Sequence, residues 1–295
     1  MTFLSLVTLC CAAFAMATAQ TWKPGITEVD LVFPRANETY KPTYPFPIVI
    51  SIQNPAAIWQ FGFAFYFDIQ PVSHMDCCWG WGSFPEADGD LETHGTYNGS
   101  DTITTIYATD AIQKSNGTAK EWILFWRSAT LWNCTPPAED GQPPTFSNSS
   151  LDRFGSIYFN ISDDGDLPII NATGAPCPVT ASTIKVKEAI ENRGNPYQTK
   201  LNYPFPYCPY FDPDTPRPEG NPCAVKASDE LARNVTKKML DTAACVGNTA
   251  WPNSSLTGPC NDRYYRGSSD APVVMARCST MALAAFLLFV ATWEL

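Results

Sequence analysis

The chain has 295 residues, with 19 basic and 29 acidic side chains and a formal net charge of −10. Between residues 20 and 267 there are 18 bases against 27 acids, a balance of −9, and no basic stripe interrupts the acidity. Such a surface repels phosphate backbones, which excludes nucleic acid as a partner, and about 250 residues are enough to bury a full core.

Residues 3–15 form an apolar run too short to cross a bilayer, and Ala17 and Ala19 follow at the small-x-small spacing that signal peptidase cuts. A signal peptide over 1–19 is expected, leaving Gln20 first. Residues 20–194 then read as a β-sandwich domain. Period-2 patterning marks strands over 27–33, 48–52, 59–70, 102–107, 122–132, 157–161 and 183–187. In 59–70 the odd positions are Trp59, Phe61, Phe63, Phe65, Phe67 and Ile69, which predicts one strand with six core side chains on one face. Seven short strands with Pro, Gly and Asn turns between them predict a mainly β protein, an antiparallel β-sandwich.

The loop after the third strand holds the candidate chemistry. In Cys-Cys-Trp-Gly-Trp-Gly, Trp79 and Trp81 offer flat indoles for sugar stacking with glycines leaving room, although two cysteines and two tryptophans also make a core plug, which is the preferred reading. His74, Met75 and Asp76 precede Cys77, and His94 lies further on, a set reminiscent of a copper or zinc site but read here as polar loop residues. Glu86, Asp88, Asp90 and Glu92 alternate around Gly89 without the grammar of a calcium loop, so an acidic hairpin is expected. No metal and no cofactor is predicted. Hydrolase signatures such as G-x-S-x-G and H-E-x-x-H are absent from the sequence. A glycosidase needs only two suitably spaced carboxylates, and the sequence nominates no pair.

Eight cysteines lie between the two terminal segments: Cys77, Cys78, Cys134, Cys177, Cys208, Cys223, Cys245 and Cys260. An even set without C-x-x-C spacing and with only two histidines predicts disulfides, hence an oxidising compartment, and leaves the pairing open. Nine Asn-x-Ser/Thr sequons fit the same route: Asn37, Asn98, Asn116, Asn133, Asn148, Asn160, Asn171, Asn234 and Asn253. Asn160 alternates with Ile157, Phe159 and Ile161 and is therefore expected to face outward, whereas Asn133 abuts Cys134, which hinders modification.

Residues 195–262 read as a separate Cys- and Pro-rich segment. Seven prolines between 202 and 223 argue against regular strands there. Ser228 then has the chemistry of an N-cap, Asp229 and Glu230 fill the first turn, and Leu231, Val235 and Met239 form an apolar stripe, which predicts one helix over 229–244. Asn234, Lys237, Lys238 and Asp241 fall on its opposite face. Beyond a stalk at 263–267, the small residues Gly267, Ser268 and Ser269 precede a spacer and the apolar run 281–293, the order of a glycosylphosphatidylinositol (GPI) signal. Gly267 is the first choice for attachment and Ser269 the second, because Ser268 would put charged Asp270 two residues on. Residues 268–295 are the expected propeptide. A lipid anchor makes the membrane a partner.

The opening of the sandwich, with Glu-Val-Asp-Leu-Val-Phe-Pro at 28–34, Phe-Gly-Phe-Ala-Phe at 61–65 and the Cys77–Cys78 pair, resembles a family of fungal secreted proteins known only as a domain of unknown function. The likeness extends to about residue 260. It implies a leader, often an anchor signal, and an ascomycete cell surface, and it brings no catalytic residues to transfer. Three functions follow: a non-enzymatic surface glycoprotein that binds cell-wall glycan or a surface protein, a carbohydrate-active enzyme with paired carboxylates, or a sugared structural coat. An exposed aromatic platform favours the first and a cleft with facing carboxylates the second.

Overall fold

The computed structural model describes residue 22 and residues 24–73, 89–92, 99–109, 111–114, 120–130, 133–136, 145–147, 153–171, 176–191, 207–212, 214–244 and 251. The strands in chain order are β1 (Ile26–Phe33), β2 (Thr39–Tyr40), β3 (Phe46–Gln53), β4 (Phe63–Pro71), β5 (Gly89–Glu92), β6 (Thr102–Thr109), β7 (Glu121–Thr130), β8 (Asn133–Thr135), β9 (Thr145–Ser147), β10 (Arg153–Ile161), β11 (Val179–Lys185), β12 (Glu188–Glu191) and β13 (Tyr207–Tyr210), followed by helix α1 (Asp229–Ala244). The protein is mainly β. Sheet A has the order β11-β1-β3-β6 and sheet B the order β2-β10-β7-β4-β5. Their neighbours pair antiparallel except β2 and β10, which run parallel.

The two sheets face each other across an aromatic core. Phe46 of β3 stacks on Phe159 of β10 with centroids 5.6 Å apart, and Phe67 of β4 meets Tyr107 of β6 edge-on at 4.8 Å. Phe63, Phe65, Phe67 and Ile69 alternate inward on β4, as Trp122, Leu124 and Trp126 do on β7. Polar contacts also cross the gap. The Trp126 indole donates to the Ala181 carbonyl at 3.0 Å, and Ser128 Oγ donates to Ser182 Oγ at 2.8 Å with both serines buried. A buried donor left unpaired costs about 1–3 kcal/mol, so these bonds hold β7 in register against β11 as well as closing one side of the core. Gly155 makes the first one possible, since a β-carbon there would collide with the Trp126 ring.

Outside sheet A, α1 packs on β3 and β6 through Val235, Met239 and Leu240, which join the same core as the strands. Its first turn is capped by Ser228, whose Oγ accepts from the Leu231 N–H at 3.1 Å, the cap that the sequence predicts. Two disulfides tie the late residues down: Cys134 on β8 to Cys208 on β13, and Cys177 to Cys223. Closing loops of 74 and 46 residues contributes about 4 kcal/mol each in the chain-entropy model.

Two sequence expectations need correction. The 59–70 run is not one strand: 3-10 turns at Pro55–Ala57 and Trp59–Phe61 precede it, and β4 begins only at Phe63. Pro55 starts the first turn, and Gly62 at φ 66° takes the left-handed conformation that a strand excludes. Phe61 is nevertheless buried, reaching the core from the turn, while Trp59 is half-buried. The Pro-rich stretch also contains a strand, β13, with Pro209 opposite Ala189 of β12. A two-stranded ribbon has only edges, where a residue without an N–H is tolerated.

Candidate functional site

Of the sequence-nominated residues, Trp79, Trp81, His74, Met75, Asp76, His94, Glu86, Asp88, Cys77, Cys78, Cys245 and Cys260 lie outside the described residues, as do Gly267 and Ser269. Sequons Asn98, Asn116, Asn148 and Asn253 do too. Asp90 and Glu92 sit on β5, opposite Tyr66 and Ala64 of β4. Asn37, Asn160, Asn171 and Asn234 are exposed, whereas Asn133 is half-buried with a buried side-chain oxygen. No group of three or more metal-ligating side chains occurs among the described residues, and no described helix is long and apolar enough to cross a membrane.

The outer face of sheet B carries aromatic side chains. Even positions of β10 and β4 and odd positions of β7 point away from the core, so cross-strand pairing fixes rows: Phe154–Arg127–Tyr66, then Ser156–Phe125–Asp68, then Tyr158–Ile123–Gln70, then Asn160–Glu121. Phe154 is 65% exposed and Tyr158 43%, and exposure rises toward β10, since Tyr66, Phe125 and Arg127 are half-buried and Ile123 buried. The Arg127 guanidinium lies 5.9 Å from the Phe154 centroid, which holds the ring by cation–π attraction. Flat aromatics beside guanidinium, carboxylate, amide and hydroxyl groups are what a sugar needs: an apolar face for its C–H bonds and polar partners for its hydroxyls. The sequence reading overlooked this face, although a signal was present. Once Asn160 is placed outward, Phe154 and Tyr158 must be outward with it.

The second constellation is polar and closed. Glu28 and Asp30 occupy successive outward positions of β1, yet are only 5% and 0% exposed, because residues 217–221 lie across them. Thr180 Oγ1 donates to Glu28 Oε1 at 2.9 Å, and the Asn221 N–H donates to Glu28 Oε2 at 2.6 Å. Gln53 Nε2 donates to Asp30 Oδ2 at 2.8 Å and to the Asn221 carbonyl at 3.1 Å. Arg217 ties the same strap to β11 through Thr183 Oγ1 and the Ala181 carbonyl. Gly220 is required where it is: a β-carbon would strike Glu28 Oε1 and Thr180.

Both carboxyls thus meet neutral donors, and Asp30 Oδ1 accepts no hydrogen bond. Burial, reinforced by the Glu28 carboxylate and opposed by the Gln53 bond, pushes the Asp30 carboxyl up to about 7 from 3.8. The Glu28 carboxyl beside it adds to the burial in favouring the protonated form of Asp30. These carboxyls are paired but sealed, with no approach for a substrate.

The shift has a thermodynamic consequence. Between about pH 4 and 7 the folded protein keeps a proton that the unfolded chain has lost, so stability is greatest on the acid side and falls as pH rises through that window. At roughly 1.4 kcal/mol per unit, the whole effect is a few kcal/mol at most. Asp30→Asn keeps the acceptor for Gln53 and a donor for Glu28 but cannot ionise. Thermal melts should show the wild-type melting temperature declining from pH 5 to 8 while the variant stays level and exceeds it at pH 8. Parallel curves would contradict the assignment.

No curated protein and no solved structure matches the chain. A family profile does, over residues 22–256, which takes in both sheets, the strap and α1. The chain belongs to the family described as domain of unknown function DUF7136.

Proposed function

We propose that the chain is a secreted, N-glycosylated, GPI-anchored protein of the fungal cell surface that binds neutral cell-wall polysaccharide through the outer face of sheet B, without cleaving it. The observation that carries this reading is Phe154, two-thirds exposed on a sheet face, held under Arg127, with Tyr66 and Phe125 beside it. A net charge of −9 over 20–267 disfavours anionic polymers, which leaves uncharged glucan and chitin as the ligand class. The Glu28–Asp30 pair argues against a carboxylate enzyme because it is roofed: Glu28 is bonded to Asn221 of the strap and to Thr180, and Asp30 to Gln53, which in turn donates to the Asn221 carbonyl. The disulfides and the four exposed sequons support the extracellular route.

Binding is tested by pull-down of the secreted ectodomain on insoluble β-glucan and chitin, with a parallel assay for soluble sugar products. Phe154→Ala should melt within a degree or two of wild type, since the side chain is largely in water, yet lose roughly tenfold in affinity, about 1.4 kcal/mol of stacking. Equal binding by the variant, or released oligosaccharide, would sink the proposal.

Attachment is tested separately. The small triplet 267–269, spacer and terminal apolar run support a lipid anchor, so phosphatidylinositol-specific phospholipase C should free an ectodomain whose C-terminal peptide ends at or near Gly267. Recovery of Leu295 from the membrane-bound protein is the contrary result.

A further inference from the structure

We propose that the N-glycan on Asn160 folds back along β10 and stacks its first sugar on the Tyr158 ring, making this exposed tyrosine a built-in platform for the chain's own carbohydrate. The inference rests on the extracellular reading above and goes beyond it, because it assigns Tyr158 to the protein's own sugar and leaves the Phe154 row to the external ligand.

The geometry comes from the strand. Residues two apart share a face and lie about 6.6–6.8 Å apart, and Tyr158 and Asn160 are such a pair, both exposed. A sugar linked to the Asn160 amide extends over its same-face neighbours. These are Glu121 across the β7 pairing, Thr39 across the β2 pairing, and Tyr158. Glu121 is a charge in water and Thr39 a small half-buried side chain, so Tyr158 is the neighbour with an apolar ring for the sugar's C–H face.

The base of this platform is rigid. The Asn160 N–H donates to the Glu38 carbonyl at 2.8 Å and the Asn37 N–H to the Tyr158 carbonyl at 2.7 Å, so β10 is stitched to the 37–40 segment at both residues. Little ordering entropy is left to lose when the sugar lands, which favours a defined contact over a mobile one. The stitched segment is itself a sequon, Asn37-Glu38-Thr39, and Asn160 pairs with its Thr39. Asn37 is exposed too, at φ 63°, beside Tyr158. Among the described residues β2 pairs with β10 only at Asn160 and Ile161, so sugars on these two sequons would shield the neighbouring edge of β10 from pairing with another chain.

The test is a cycle of variants in the full chain secreted from a eukaryotic host. Tyr158→Ala, Tyr158→Phe, Asn160→Gln and the Tyr158→Ala/Asn160→Gln double variant are compared with wild type. Each is melted untreated, after an endoglycosidase that leaves only the first N-acetylglucosamine, and after an amidase that removes all sugar, while glycopeptide mass spectrometry reads occupancy at Asn160. The expected result is an occupied Asn160 and a melting temperature lowered by about 2–4 °C in Tyr158→Ala. That loss should survive trimming to one sugar, vanish after the amidase and in the Asn160→Gln background, and be absent from Tyr158→Phe. A Tyr158→Ala loss that is the same with and without the Asn160 sugar overturns the stacking while leaving the extracellular reading intact. An unoccupied Asn160 overturns both at this site.

Discussion

Glu28 and Asp30 sit two residues apart in the middle of a strand whose other members, Thr27 apart, are apolar, and much of the architecture outside the sandwich core answers to them. A strand whose outer face holds two carboxyls can be central in a sheet only if those groups are given donors, because an isolated carboxylate out of water is far more costly than the fold's whole margin. Here the donors come from Thr180 on one neighbouring strand, Gln53 on the other, and the backbone of Asn221 above. The strap that supplies Asn221 carries Gly220 so that it can lie close, and Cys177–Cys223 anchors it beside β11. Its prolines suit that task, since a chain segment that forms no ladder loses little by lacking N–H groups and gains a fixed course.

The two sheets end up with different exteriors. Sheet A is covered twice, by α1 over β3 and β6 and by the strap over β1 and β11. Sheet B keeps an outer face that mixes rings with polar groups, and that face is most open along β10. One exterior therefore serves stability and the other is available for recognition. The burial of the Glu28–Asp30 pair, together with the aromatic exposure on the opposite side of the sandwich, is why binding is proposed over hydrolysis.

The seven strands read from alternation are the seven long strands of the sandwich, and the helix over 229–244 with its Ser228 cap is there as well. Both were legible because burial on one side leaves a period in the sequence. The short strands β2, β5, β8, β9, β12 and β13 leave no such mark, being two to four residues long and held by pairing or by the Cys134–Cys208 bridge. The turn at 59–62 was hidden by its own aromatics: Trp59 and Phe61 continue the odd-position pattern although Gly62 breaks the strand, since a side chain can reach the core from a turn. Disulfide partners could not be read, because pairing depends on which strands are neighbours. The roof over Glu28 joins residues 193 apart in sequence, a contact that no local pattern encodes.

The most direct measurement is a hydrogen-exchange footprint of the protein secreted from a eukaryotic host, with and without soluble β-glucan or chitin oligomers. Slowed exchange confined to β7 and β10, around 123–127 and 153–158, with 26–33, 179–185 and 217–223 unchanged, is the result the account predicts. Protection centred on the strap and the Glu28–Asp30 strand would contradict it, placing the ligand at the carboxyl pair.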